Sequence, residues 1–342
     1  MLGGVKNKTR KVFSRLINVL PFQKNSISPN YCELIVTEKC FFRCKMCNMW
    51  KRTHENQPTL IQWKKFLDSF KKTIELPYKI SICGGETLTY PHLSSLIKYA
   101  KNLGFDISIT TNAFLLNKKL ADKLYKAGLR EYVISLDSLD ETTHDSIRGK
   151  KGSYKKIMEA IEILSKYRET SINLISVIMS LNVKELVKLI DWTNNNTNIN
   201  SINFNAITEP LCSNSGEKWF KDSSYAYLWP ESSKTKESIE KIIKLKEKEN
   251  KIGNSIAQLR TFIDYYNQPL KFVKDGKCHM GNSVSINSEG FIFLCHYFGA
   301  IGNIKKDQFE EIWRSKKSQI IRKKILECKK NCKMLINCNF EE

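Results

Sequence analysis

The chain has 342 residues, enough for one large domain with a smaller one attached. Hydrophobic content of 41% and charged content of 27% are ordinary for a soluble globular protein, and no apolar run approaches the length of a spanning helix. The formal net charge of +21 speaks to partners rather than to fold, and lysine pairs such as Lys64-Lys65, Lys118-Lys119 and Lys305-Lys306 are spread along the chain, which argues for solvated helix faces and against one nucleic-acid-binding block.

Residues 1–30 read as a basic lead-in. Val12, Phe13, Leu16, Ile17 and Leu20 recur at helical spacing, with Lys11 and Arg15 between them. The pattern predicts a surface helix, with peripheral membrane contact through this N-terminus as the functional alternative. Arg15 and Asn18 break the apolar stretch, so it lacks the core of a signal peptide, and the expectation is a cytoplasmic protein. In that compartment eleven cysteines, an odd number, argue for metal ligation and against a disulfide framework.

From Tyr31 the pattern alternates. Extended runs read at 32–38, 78–83, 105–111, 131–137, 172–179 and 200–206, with helical patterns near 58–73, 91–103, 117–127, 153–167 and 183–195. Strands that alternate with helices in this way predict a parallel sheet with right-handed crossovers, over residues 31–207. Working residues of such a sheet sit at the strand C-terminal ends. Residues 208–270 break the rhythm and read as a loop and helical insert. Residues 271–342 are short, cysteine-rich and turn-rich, and read as a second small domain.

After the first strand comes Cys40-Phe41-Phe42-Arg43-Cys44-Lys45-Met46-Cys47. Three thiolates from one such loop can hold three irons of a cubane cluster and leave the fourth iron open to a ligand. A zinc site with His54 as the fourth ligand is the alternative for this loop alone. The second strand ends in Cys83-Gly84-Gly85-Glu86, where two glycines let a ligand approach the backbone and a carboxylate suits a cationic amino group. The third strand ends in Thr110-Thr111-Asn112. The fourth ends in Ser135-Leu136-Asp137, and His144 to Gly149 follow. Hydroxyls and amides there can bind a ribose, and Arg148 can pair with a carboxylate. In order along consecutive strand ends, these describe one pocket for a molecule with an amine, a carboxylate and a ribose.

Over roughly residues 31–207 the chain resembles the radical S-adenosylmethionine (SAM) enzymes. The three-cysteine loop is that family's signature, and Gly84-Gly85-Glu86 is similar to its second motif. The resemblance implies an α/β fold, a partial (β/α)6 TIM-like barrel. It implies that Cys40, Cys44 and Cys47 hold a [4Fe-4S] cluster whose open iron takes the methionine part of SAM. Gly84, Gly85 and Glu86 would contact the SAM amino group, and Met46 would lie near the adenine. Ser135 and Asp137 would lie near the ribose, and Arg148 near the carboxylate. Reductive cleavage of SAM would then yield a 5′-deoxyadenosyl radical that takes a hydrogen from substrate, which calls for an electron donor such as flavodoxin or ferredoxin.

The C-terminal part is similar to the SPASM and twitch extensions of this family. Cys278 is followed by Gly290-x4-Cys295, then by Cys328-x3-Cys332-x5-Cys338, with a predicted hairpin from Val284–Asn287 to Phe291–Leu294. Five thiols satisfy one four-cysteine cluster with one to spare, so the expectation is one auxiliary [4Fe-4S] cluster on Cys278, Cys295 and two of Cys328, Cys332 and Cys338. A second cluster with other ligands and a zinc site are the alternatives. His296 follows Cys295 at the position where the anaerobic sulfatase-maturating relatives carry a proton-accepting aspartate, and is read as a base, with a surface histidine as the alternative. Cys32 and Cys83 read as core thiols, and Cys212 sits near the expected barrel mouth.

An auxiliary cluster lets a substrate radical lose an electron, so the expected outcome is an oxidation or another radical modification. The substrate is expected to be a small molecule such as a sugar or aminocyclitol. Modification of a peptide or protein is the alternative. Residues 1–30 are too few for the leader-binding domain that peptide-modifying relatives often carry. A non-enzymatic basic iron–sulfur or nucleic-acid-binding protein is the reading of a different class.

Overall fold

Six segments in which apolar and polar residues alternate form the parallel strands: β1 Tyr31–Thr37, β2 Tyr78–Gly84, β3 Phe105–Thr111, β4 Glu131–Ser135, β5 Ser171–Ile178 and β6 Ser201–Ala206. These are the six expected from the sequence, within one or two residues at each end. The computed structural model describes residues 28–52, 56–213, 215–248, 251–273 and 278–338. Most of the basic lead-in, with the membrane contact read for it, lies outside the described residues, as do His54 and the side chains of His279 and Cys338.

Register explains the alternation. One row across the sheet is Ile172, Tyr132, Ile109, Ile82 and Leu34, each paired to the next, and every member is buried. The neighbouring row is Ser171, Glu131, Ser108, Ser81 and Glu33. Successive side chains of a strand point to opposite faces, so the apolar row meets the helices and the polar row lines the inner face of the barrel. On that face Lys79 pairs with Glu131 at 2.6 Å.

The outer layer is α1 Leu60–Lys71, α2 Leu93–Asn102, α3 Lys118–Lys126, α4 Glu141–Arg148, α5 Ser153–Leu164 and α6 Leu186–Asn195. In α1, Trp63, Phe66, Leu67 and Phe70 recur at three and four residues and are all buried, and Thr59 and Gln62 close a capping box at its start. Each such buried aromatic contributes about 2–3 kcal/mol of transfer free energy. The short α4 was not among the expected helices. Asp140 caps it by accepting from the Thr143 N–H, and Gly149 ends it at φ 61°.

After α7 Ser232–Lys246 and α8 Ile256–Asn267 come β7 Ser283–Ile286, β8 Phe291–Phe293 and β9 Gly302–Asn303, then α9 Phe309–Arg314, α10 Lys316–Leu326 and α11 Lys333–Cys338. β7 and β8 form the expected hairpin. β7 also pairs in parallel with β1, Tyr31 opposite Ser283 and Leu34 opposite Ile286. The C-terminal hairpin therefore continues the barrel sheet, whose order is β6-β5-β4-β3-β2-β1-β7-β8-β9. Phe309 of α9 packs on Phe66 and Phe70 of α1, with ring centroids 5.5 and 5.1 Å apart.

At the opposite edge, among the described residues, the outer side of β6 meets no further strand beyond an isolated bridge to Ile252, and its backbone is satisfied piecemeal. The Ile202 N–H bonds the Lys251 carbonyl, and the Gly253 N–H bonds the Ile202 carbonyl. The Asn254 side chain bonds both the N–H and the carbonyl of Phe204, at 2.6 and 2.8 Å. The Asn337 side chain does the same for Ala206, at 2.8 and 2.9 Å. An edge that would otherwise expose backbone donors and acceptors is thus covered by two amides, one of them from the last helix. Among the described residues no helix is long and apolar enough to cross a membrane.

Candidate active site

The loop Cys40–Cys47 is clamped between two close backbone approaches. On one side β2 ends against the segment leading into the loop: the Gly85 N–H bonds the Thr37 carbonyl at 2.8 Å, and the Glu86 N–H bonds the Lys39 carbonyl at 2.9 Å. A Cβ on Gly84 would lie 2.1 Å from the Thr37 carbonyl oxygen, and one on Gly85 would lie 2.4 Å from that of Glu38. The two glycines are therefore required by the chain's own backbone. On the other side the end of α4 meets the loop. The Lys45 N–H bonds the Ile147 carbonyl at 2.9 Å, and a Cβ on Gly149 would lie 2.3 Å from the Arg43 carbonyl oxygen. Buried Phe42 closes the underside in a cluster with Phe41 and Phe114, centroids 5.2–5.7 Å apart.

Cys40, Cys44 and Cys47 all open onto one cavity of about 230 Å³. Met46, Gly84, Gly85, Ser135 and Arg148 line it too, together with Thr111 and Asn112 from the end of β3. The strand ends thus converge as the sequence order demanded. Two carboxylates do not join them. Glu86 is buried beneath the wall, where its oxygens accept from the Leu88 N–H, the Thr111 hydroxyl and the Asn112 N–H at 3.0, 2.5 and 2.8 Å. Burial pushes its carboxyl up, and these three bonds pull it back. The Glu86 carboxylate so engaged ties the segment after β2 to the end of β3 and does not line the cavity.

Asp137 is likewise buried. It accepts from the Val177 N–H at 2.9 Å and pairs with Arg148 Nε at 2.7 Å. It thereby holds Arg148 in place and ties the end of β4 to Val177 of β5; Val177 and Arg148 line the cavity and Asp137 does not. The same guanidinium reaches the Cys44 sulfur. Burial pushes the Cys44 thiol up to about 12, and Arg148 opposes that rise. His144, fully buried, accepts from the Asp137 N–H at 3.3 Å, and burial together with Arg148 holds its ring down to about 4. Three soft sulfur donors on one cavity, with a guanidinium, hydroxyls and open glycine backbone opposite, fit a thiolate-held iron–sulfur cluster with an amino-acid-like ligand.

The sequence reading missed several residues here. Glu38 and Arg52 join the two ends of the loop by an ion pair of 2.6 Å, and Arg52 Nε also meets Cys212 Sγ at 3.3 Å. Asn205 to Glu209, Lys333 and Asn337 line the cavity from β6 and the last helix. They come from sequence-distant pieces, and no local pattern marks them.

The C-terminal thiols lie within electrostatic reach of one another. Burial pushes Cys295 up to about 11, and Cys332, Cys278 and Cys328 all add to that rise. Cys332 is raised by burial and by Cys328. A second cavity, about 320 Å³, reaches Cys332 and is bordered by Tyr297, Tyr265, Trp219 and Cys212. It meets the first at Thr208, Glu209, Leu211 and Lys333, which line both. His296 lines neither. Its Nε2 is 3.1 Å from the Ser285 hydroxyl, which donates to Glu33 at 3.3 Å, and its ring packs on Phe293. His296 is exposed, and its ring feels the charges of Glu33, Arg52 and Lys333, the last of which lines both cavities.

Comparison with known proteins agrees with this arrangement. Residues 34–193 match the Radical SAM superfamily, and residues 278–339 match the SPASM iron–sulfur cluster-binding domain. The chain is 28% identical over 293 residues to the GTP 3′,8-cyclase of Campylobacter jejuni subsp. doylei, covering 81% of this chain and 83% of that protein. Its fold is similar to that of SuiB from Streptococcus suis bound to SAM, with TM-score 0.68 and 18% identity over 97% of this chain and 76% of that one. It is also similar to anSMEcpe bound to AdoMet and the Cp18Cys peptide, with TM-score 0.65 and 18% identity over 91% and 88%.

The chain is therefore a radical SAM enzyme, built as a partial barrel with a C-terminal SPASM domain. Its cofactors are a [4Fe-4S] cluster and SAM, with auxiliary iron–sulfur in the SPASM part. The non-enzymatic reading is set aside.

Proposed function

We propose that this enzyme oxidises a small polar molecule, of the sugar or aminocyclitol alcohol kind, bound between the three-cysteine loop and the auxiliary thiols. The observation that carries the reading is the junction of the two cavities at Thr208, Glu209, Leu211 and Lys333. A substrate there lies between a radical source and an electron acceptor. Cavities of a few hundred Å³ suit small ligands. The serine, asparagine and glutamate side chains of the inner face supply hydrogen-bond partners for a polyol.

In this reading Cys40, Cys44 and Cys47 hold the first cluster. Cys278, Cys295, Cys328 and Cys332 hold one auxiliary cluster, with Cys338 as the spare thiol. When bound, the cluster and SAM supply a carbon radical that takes a hydrogen atom from substrate. The chain's own part is placement. The open backbone of Gly84 and Gly85 receives the amino group of SAM, Arg148 its carboxylate, Ser135 its ribose, and Met46 and Val177 its base. Asp137 keeps Arg148 turned toward the cavity. Phe42 and its aromatic neighbours keep water from the underside of the loop.

A second reading is modification of a peptide side chain. It is supported by the fold likeness to anSMEcpe, which carries a bound peptide, and to SuiB, which has also been solved with its precursor peptide SuiA. The test is 5′-deoxyadenosine release by anaerobically reconstituted enzyme with SAM and dithionite, given the ultrafiltered small-molecule fraction of a cell extract or the retained peptide fraction. Stimulation by the first fraction is the expected result. Stimulation by the second alone would replace the small-molecule reading with the peptide one. No product at all, with clusters intact, would sink both.

A further inference from the structure

We propose that the outer face of α10 is the docking surface for a small acidic electron-carrier protein that exchanges an electron with the auxiliary iron–sulfur site. The inference rests on the reading of Cys278, Cys295, Cys328 and Cys332 as ligands of that site. Residues 316–333 hold eight basic side chains and one acidic one, which is a third of the net charge of the whole chain in eighteen residues. The charge is largely unpaired. Lys316, Lys317, Lys323, Lys324 and Lys329 are exposed, and among the described residues none of them has a carboxylate partner. Elsewhere helix lysines are often paired, as in Lys118–Asp122, Lys156–Glu159 and Lys241–Glu237. The free face of α10 is therefore not simply the chain's common surface.

Its position gives the charge a use. Ser318, Ile321 and Ile325 bury the inner side of α10. That side packs against the turns His279–Asn282 and His296–Phe298, which directly follow Cys278 and Cys295. Cys328 stands two residues past the end of the helix. A protein seated on the outer face thus lies about one helix diameter, roughly 10 Å, from three thiol-bearing segments. The lysines surround a few exposed apolar groups: Ile320 at 49%, Leu326 at 46% and, next to Cys295, Tyr297 at 56%. Lys330 lies 5.5 Å over the Tyr297 ring. A small apolar centre with a charged rim suits a weak, fast redox encounter steered by charge.

Two other anionic occupants fit less well. A membrane surface wants a broad apolar face, and α10 exposes two large apolar residues in eleven. A nucleic acid gains nothing from a position beside redox thiols. The step itself is a one-electron transfer. The substrate radical gives one electron to the auxiliary site and one proton to solvent, and the site returns to its starting state when that electron passes to the oxidised flavin or iron–sulfur group of the carrier.

The experiment compares wild-type holoenzyme with Lys316→Glu/Lys317→Glu/Lys323→Glu/Lys324→Glu and with the same four changed to Gln. A pair on a distant helix, Lys119→Glu/Lys123→Glu, is the control. Binding of a flavodoxin and of a ferredoxin is titrated at several salt concentrations, alongside binding of phosphatidylserine vesicles and of duplex RNA. We expect carrier affinity to fall about tenfold or more in the Glu variant and less in the Gln variant, with a shallower salt dependence in both. The control should not change, and dithionite-driven SAM cleavage should stay at the wild-type level in all of them. Equal carrier binding by all proteins overturns the proposal, and so does a loss confined to vesicles or RNA. Failure of dithionite-driven cleavage in wild type would instead strike the enzyme reading beneath it.

Discussion

The two thiol sites of this molecule are built differently. The loop Cys40–Cys47 is held by the fold itself, through backbone hydrogen bonds to β2 and α4, three glycines with no room for a side chain, and an aromatic floor. The C-terminal thiols hang on short turns and helix ends. Arg322 braces one turn by donating to the Gly281 carbonyl, and the Asn331 side chain reaches the Pro269 carbonyl at 3.1 Å. The first site is preorganised, with its cost met by the sheet. In the second, bound metal has more of the ordering to do, since a weakly prebuilt site couples metal binding to folding.

The contrast is broken most sharply at Gly85. In Gly85→Val the new side chain meets the Glu38 and Lys39 carbonyl oxygens at 2.4 and 2.7 Å. Both are backbone atoms in the segment that sets the loop, so neither can swing aside. The variant should lose the iron of the three-cysteine loop, about four atoms per chain, while retaining that of the auxiliary site. Iron analysis and electron paramagnetic resonance after reconstitution check this. Full iron content in the variant would show that the loop adapts and is not clamped.

That clamp could be foreseen only in part. The strands were legible because a half-buried strand writes its two faces as alternation: in Ser171–Ile178 every second residue is buried. The three-cysteine loop stood out by its spacing, and the motifs at the following strand ends turned it from a candidate zinc site into a cluster loop. Helix α4 was not, since Glu141–Arg148 buries only His144, Ile147 and Arg148 and relies on Asp140 and Gly149 at its ends. The order of strand ends correctly predicted one cavity, but it said nothing about which way Glu86 and Asp137 turn. Both lie just past a strand end, where the period of two no longer applies, and their direction is set by the backbone N–H groups of Asn112, just after β3, and of Val177 in β5. Asn337, Glu38 and Arg52 are set by contacts across long sequence distances and leave no local trace.

A smaller effect tests the buried wall behind the loop. The His144 ring stays neutral in the folded protein down to about pH 4, whereas in the unfolded chain it takes a proton near its ordinary value of 6.5. Between those two values the unfolded state binds more protons, so stability falls as pH falls through that window and is level above it. The full contribution is about 3 kcal/mol. Urea unfolding of the metal-free protein should show about 2 kcal/mol of this loss between pH 7 and pH 5. In His144→Gln, which keeps an acceptor for the Asp137 N–H, the difference should shrink by most of that amount. An unchanged pH dependence would mean that His144 is not the group responsible.

The smallest expected effect on function lies at the joint between the two sites. Asn337 and Asn254 do the same work on the edge of β6, each bonding both backbone groups of one residue. Replacing either by alanine leaves a buried N–H and a buried carbonyl without partners, at about 1–3 kcal/mol each. Urea unfolding should therefore read the two variants alike. They should differ in function. Asn254 belongs to the turn before α8, whereas Asn337 belongs to α11, beside the auxiliary thiols, and lines the three-cysteine cavity. Asn337→Ala should loosen the spacing between the two iron–sulfur sites, seen as altered spin relaxation between them, with hydrogen exchange at Ala206 and over α11 faster than in Asn254→Ala. If both variants relax spins alike, the clip at Ala206 serves the sheet edge only, and the distance between the sites is fixed by the β1–β7 pairing.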